Sequence, residues 1–201
     1  MKKIVFMLLL LLSGSMVAQT VGIIPEPQKV ETSRGYLYLA DTLNFVSLVA
    51  TDSILPAVWI DCPLPFVGST VVAKSSKSNQ TVVELKLNPL LKFPRNASQG
   101  YVLTVGKKAI TIEAITTQGL YYGVLSLRQL VIKAVVEDAK RPHIGCITVE
   151  DYPALEYRGW MDDLSRGPIP TMDFLKREIR TMAMYKMNFF NLYTEHVFRL
   201  K

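Results

Sequence analysis

Alternation of apolar and polar residues is the strongest signal in the first two-thirds of the chain. The stretch TVVELKL at 81–87 changes face at nearly every step, as a strand with one buried side does. YLYL at 36–39, FVSLV at 45–49, YVLTV at 101–105 and AITIE at 109–113 are short runs of β-branched and aromatic residues of the same kind. The last two flank Gly106, Lys107 and Lys108, which predicts a hairpin with glycine at the start of its turn. Residues 22–30, carrying Pro25 and Pro27, are expected to be extended and not helical. Between 52 and 73, Pro56, Pro63 and Pro65 break every periodicity, so that segment reads as irregular or partly helical.

The period then changes. From 117 to 134, Leu120, Val124, Leu127 and Val131 recur at helical spacing, and Leu130 widens the stripe. Gly119 and Gly123 lie four apart on one side of that helix. A glycine inside a helix costs roughly 0.8–1 kcal/mol, so close packing of this side on a sheet is the natural offset. Residues 142–153 read as a last strand and a linker. Residues 20–150 are therefore expected to form an α+β domain, an antiparallel sheet with a helix over one face.

A second unit follows over 151–201. Residues 157–161 are a short strand candidate, and RGPIP at 166–170 is a loop. Residues 171–186 predict an amphipathic helix with Leu175, Ile179, Met182 and Ala183 inward, Pro170 suiting a first-turn position. Residues 187–193 form the next strand. Strand, loop, helix and strand in succession make a βαβ unit, which implies parallel strands. Parallel strands are normally covered on both faces, so this unit is expected to be the beginning of a larger structure, and the chain to be truncated.

Composition adds a location and removes some function classes. Lys2 and Lys3, an apolar run over 4–12 and the small residues of 13–18 have the layout of a secretory signal peptide, residues 1–19. A membrane span needs ~20 apolar residues, so export to the periplasm or the medium is expected, with no later stretch spanning a bilayer. An apolar fraction of 49% is ample for a core. Cys62 and Cys146 are too few for a disulfide scaffold; one bond and two buried thiols are both open. His143 and Cys146 alone are a weak zinc signal, and no metal or cofactor is expected. The net charge of +6 comes from dispersed Lys and Arg without interleaved aromatics, which argues for a solvated basic face over nucleic-acid binding. Asn79 and Asn96 begin glycosylation sequons, which matter only in a host that uses them.

The densest charge lies in EYRGWMDDLSRGPIP at 156–170. Adjacent Asp162 and Asp163 invite a catalytic-pair reading, but neighbouring strand residues point to opposite faces. Two-carboxylate glycoside chemistry needs groups converging from ~5 to 9.5 Å across one bond. Two readings stay open for these aspartates. One caps the loop or pairs with Arg166, or the cluster binds substrate at the C-terminal end of a barrel's first strand, where such barrels build their sites.

The order of motifs resembles glycoside hydrolase family 20, the β-N-acetylhexosaminidases. IPEPQKV at 24–30, GYVLTV at 100–105, ITIEA at 110–114 and GLYYGVLSLRQL at 119–130 resemble that family's accessory N-terminal domain. DYP at 151–153, YRG at 157–159, DLSR at 163–166 and MAMYKMN at 182–188 resemble the first strand, helix and second strand of its (β/α)8 barrel. The resemblance implies removal of terminal β-linked N-acetylglucosamine or N-acetylgalactosamine with retention of configuration. In that scheme the substrate's acetamido oxygen is the nucleophile. An adjacent Asp-Glu pair serves the family as acetamido-orienting group and general acid, and this chain holds no such catalytic pair. The resemblance further implies that Arg158 grips hydroxyls of the terminal sugar, its guanidinium offering a rigid fork of donors. Asp163 and Arg166 match recurrent positions that shape the site. Where the family usually has His-Trp-His leading to paired aspartates, this chain has FFNLYTEHV at 189–197. Tyr193 and Glu195 share a face at the strand's end, and Glu195 takes one aspartate's role unless a one-residue shift puts His196 there.

Overall fold

A computed structural model describes residues 21–47, 71–72, 80–166 and 168–195. The signal peptide, the irregular segment over 52–70, Cys62, Asn79 and His196 lie outside the described residues.

Nine strands, two α-helices and one 3-10 turn are described. In chain order they begin with β1 (Lys29–Tyr38), β2 (Leu43–Ser47), β3 (Val71–Val72), β4 (Thr81–Leu87) and the turn Ala97–Gln99. Then come β5 (Tyr101–Val105), β6 (Ala109–Ala114), α1 (Thr117–Glu137) and β7 (His143–Asp151). The last three are β8 (Gly159–Asp163), α2 (Met172–Met184) and β9 (Phe189–Tyr193). Strands β1 to β7 make one sheet in the order β1-β7-β5-β6-β4-β2-β3, and β8 pairs with β9 separately.

Side-chain alternation sets the core. Leu103 stands opposite Ile112 on one side and Val149 on the other, and Val83 opposite Ile110. These and Phe45, Leu85, Val105 and Ala114 form one buried face. Helix α1 covers it with Leu120, Val124, Leu127, Leu130 and Val131, all buried as their spacing predicts. Each large side chain so buried contributes ~1.5–3 kcal/mol. The helix starts where the Thr116 hydroxyl accepts the Gly119 N–H at 3.2 Å. By length and composition α1 is apolar enough to cross a membrane, unlike the expectation from sequence, but 67% of its most apolar window is buried in this fold.

The sheet is mixed, which corrects the antiparallel expectation. β5 is antiparallel to both β6 and β7, and β7 to β1, but β4 runs parallel to β6, and β2 parallel to β4 and β3. Residues 88–100 carry the chain from the end of β4 past β6 to the start of β5, so β6 returns into the space between them. Alternation looks the same whichever way a neighbour runs.

The second unit is the expected parallel βαβ, with Gly159 opposite Phe189 and Asp163 opposite Tyr193. Its strands and helix begin slightly later than the pattern suggests. Thr171 caps α2 by accepting the Phe174 N–H at 3.2 Å, so Pro170 precedes the cap and is not in the first turn. Met182 is buried, but Ile179 is 48% exposed, because nothing described packs over that part of the helix.

Candidate functional site

Asp163 ends β8 and Tyr193 ends β9, side by side because the strands are parallel and in register. The Leu164 N–H continues the pairing to the Tyr193 carbonyl at 3.0 Å, after which both chains turn away. The turn after β8 is built by Asp163 itself, whose Oδ1 accepts the Ser165 N–H at 2.8 Å. Ser165 then reaches across, its Oγ accepting the Glu195 N–H at 3.0 Å. Glu195 Oε1 accepts from the Tyr193 hydroxyl and, at 3.2 Å, from Arg166 Nη2. Arg166 Nε lies 3.8 Å from Asp163 Oδ2. The hydrogen bond to Glu195 raises the Tyr193 phenol pKa above its ordinary value, with a smaller push from burial.

One rim at the C-terminal ends of two parallel strands thus brings together Asp163, Tyr193 and Glu195, with Arg166 and Ser165 beside them. The Arg166 side chain is 72% exposed, so the donors not turned to Glu195 and Asp163 are open to a ligand. Carboxylates, a guanidinium and a phenol within one hydrogen-bonded ring suit recognition of a polyhydroxylated molecule. Asp162 takes no part: as alternation requires, it points to the other face of β8, where its Oδ2 is buried without a hydrogen-bond partner among the described residues. The adjacent aspartates are not a pair.

Arg158 sits at the other end of the same strand. It precedes β8, five residues and roughly 17 Å of extended chain from Asp163, at the N-terminal end of the strand. Its Nε and Nη2 donate to the Lys186 carbonyl at 3.0 and 2.8 Å, and Nη2 also to Gln99 Oε1 at 2.9 Å. Nη1 donates to the carbonyls of Leu155 and Glu156 at 2.7 and 3.3 Å. The fork is filled by protein acceptors and points at the junction between the two units.

A cavity of about 530 Å3 is elsewhere. It lies between the last turns of α1 and the β1–β7 edge, lined by Tyr36, Lys133, His143 and Cys146 among others. Cys146 is a buried free thiol. Among the described residues no group of three or more His, Cys, Asp or Glu side chains is placed to hold a metal ion.

Comparison with known proteins matches residues 20–152 to domain 2 of glycosyl hydrolase family 20. The chain belongs to that family. It is 30% identical to a β-hexosaminidase of Vibrio vulnificus over 176 residues, covering 88% of this chain and 19% of that protein. A β-N-acetylhexosaminidase of Cellulomonas fimi is 29% identical over 179 residues, 86% of this chain and 34% of its own length. Among solved structures, a family 20 exo-β-N-acetylglucosaminidase of Vibrio harveyi in complex with N-acetylglucosamine shares the fold. Its TM-score is 0.71 at 23% identity, over 87% of this chain and 25% of that one. The β-N-acetylhexosaminidase of Streptomyces coelicolor gives 0.66 at 27% identity, over 86% of this chain and 34% of that one. The chain therefore spans about an eighth to a third of the length of the relatives it matches.

Ser165 and Lys186 were not singled out by the sequence. Ser165 left no signal, being one more loop serine. Lys186 had one: a lysine just after a helix, where glycine is the common occupant.

Proposed function

We propose that this chain is part of an exported β-N-acetylhexosaminidase that removes terminal β-linked N-acetylhexosamine by substrate-assisted, retaining hydrolysis. In this reading the rim of Asp163, Arg166, Tyr193 and Glu195 holds hydroxyls of the terminal sugar. The observation that carries it is the convergence of these four at the C-terminal ends of two parallel strands joined by a helix. That is the end at which (β/α)8 barrels collect ligands. Arg166 is assigned the sugar-binding fork, since its exposed side chain has donors beyond those turned to Glu195 and Asp163, whereas the fork of Arg158 is turned to protein acceptors. The N-acetylglucosamine bound to the Vibrio harveyi relative supports the choice of sugar. The rim supplies binding and orientation; the chain contains no Asp-Glu dipeptide to act as the family's catalytic pair.

Titration of the 15N-labelled chain with N-acetylglucosamine tests this reading. Amides of 163–166 and 193–195 are expected to shift in the wild type and to stay still in R166A. Shifts confined to other parts of the fold, or none at millimolar sugar, would sink it.

A further inference from the structure

Lys186 follows the C-cap of α2 and stands at φ 60, the left-handed region that a residue with a Cβ enters only under strain. Its N–H donates to the Ala183 carbonyl at 2.9 Å, and the Met187 N–H to the Met182 carbonyl at 3.0 Å. These are the paired bonds of a helix end in which glycine is the usual occupant. A lysine there would be expected to send its amine to water. Instead its side chain is only 6% exposed and enters the other unit.

The socket it enters is made of three elements of the seven-stranded domain. Lys186 Nζ donates to Asp151 Oδ2 at 3.1 Å, at the end of β7, and to the Tyr101 hydroxyl oxygen at 3.0 Å, at the start of β5. Tyr101 and Asp151 are cross-strand partners, and the Tyr101 hydroxyl donates to Asp151 at 3.0 Å. Ser126 of α1 completes the ring, 2.6 Å from the same hydroxyl. The ammonium also sits 5.1 Å from the centre of the Tyr101 ring. The backbone of Lys186 is held as firmly as its amine, since two nitrogens of Arg158 grip its carbonyl. Two residues on, Asn188 Nδ2 donates to the Glu156 carbonyl at 2.8 Å.

A buried charge with every polar neighbour satisfied is expensive to break, because either partner left alone is an uncompensated charge. We infer that Lys186 is a positioning residue that couples the two units. Its ammonium, seated against Asp151, Tyr101 and Ser126, fixes the α2–β9 turn to the seven-stranded domain, so that the βαβ unit opens only with that domain. A helix end that needed only to stop would carry glycine. Here left-handed strain is accepted because this position aims a long amine into the socket. The inference rests on the fold alone, and the sugar titration above tests the rim separately, so either can fail without the other.

Hydrogen exchange followed by mass spectrometry on the 201-residue chain decides it. The wild type, K186G, K186M and D151N would be compared under native conditions. Coupling predicts that α2 and β9 in the wild type are protected to the same degree as β5 and β6. In all three variants, exchange across α2 and β9 is expected to rise at least tenfold, with β5 and β6 little changed. K186G is the sharpest arm, because it relieves the strain while removing the amine. If K186G protects α2 and β9 as well as the wild type or better, Lys186 only ends a helix and the inference falls. It falls equally if α2 and β9 are unprotected in the wild type. Should K186M fail to give folded protein, K186G and D151N decide alone.

Discussion

Tyr101 is fully buried and serves both the core and the junction, with its ring in the sheet's inner face and its hydroxyl against Asp151, Ser126 and Lys186. Removing that hydroxyl in Y101F leaves Asp151 short of a donor and is expected to cost about 2 kcal/mol at neutral pH, measured by urea unfolding. Burial first, and then the Asp151 charge, push the phenol pKa well above its ordinary value of 10.0. The folded chain therefore keeps a proton that the unfolded chain releases, and stability falls as pH rises past 10. The difference between wild type and Y101F should narrow above pH 10; a gap that stays constant to pH 11 would count against this environment. Lys186 works in the opposite sense, since burial lowers its pKa despite Asp151, and that contribution rises with pH below its ordinary 10.5. The two arginines separate just as cleanly. R158A strips donors from the carbonyls of Lys186, Leu155 and Glu156 and should destabilise by about 2 kcal/mol without specific loss of sugar binding. R166A, at an exposed site, should change stability by less than about 0.5 kcal/mol and abolish the sugar-dependent shifts. The reverse pattern in thermal melts and titrations would make Arg158, not Arg166, the sugar ligand.

At the scale of elements, the glycines of α1 carry a prediction that follows from closeness of packing. A Cβ at Gly119 would run into the Gly100 carbonyl and the Ala114 side chain, and one at Gly123 into Ile112 and Tyr101. Alanine favours a helix over glycine by ~1 kcal/mol, yet backbone cannot step aside as a side-chain tip can. G119A is thus expected to destabilise by about 1–3 kcal/mol in urea unfolding, and a stabilised variant would show the helix rides higher than the structure has it. Those glycines, and the stripe of Leu120, Val124, Leu127 and Val131, were legible beforehand because a helix repeats its faces at a fixed spacing. β4, β5 and β6 were legible for the same kind of reason. What alternation does not encode is a neighbour's direction, so the parallel pairing of β4 with β6 and of β2 with β4 was invisible. The rim was half legible. Tyr193 and Glu195 are two apart at a strand's end and share a face wherever that strand lies. Telling Arg158 from Arg166 required knowing which end of β8 each occupies, and the strand begins at Gly159, two residues after the pattern suggested.

Across the whole molecule, the two units differ in how complete their burial is. The seven-stranded sheet and α1 enclose a continuous core, whereas the βαβ unit leaves Trp160, Met161, Phe189 and Leu192 between 42% and 57% exposed. Its firmest anchorage is at one end, where Lys186, Arg158 and Asn188 meet the larger domain, and its candidate rim is at the other. Hydrolysis of a glycoside asks more than such a rim offers. A general acid must lie within hydrogen-bond reach of the leaving oxygen, and the acetamido group must be turned toward the anomeric carbon. Asp163 is already engaged by the Ser165 N–H and Arg166, and Glu195 by Tyr193 and Arg166. Both carboxylates come from one side, off neighbouring strand ends, with no second carboxylate opposite them among the described residues. The 201-residue chain is therefore expected to release no nitrophenol from p-nitrophenyl N-acetyl-β-glucosaminide above the rate of a heat-denatured control, even at sugar concentrations that shift the rim amides. Turnover that disappears in R166A would show instead that these few residues suffice for the chemistry. The division between a binding rim here and a catalytic pair elsewhere in the protein would then be wrong.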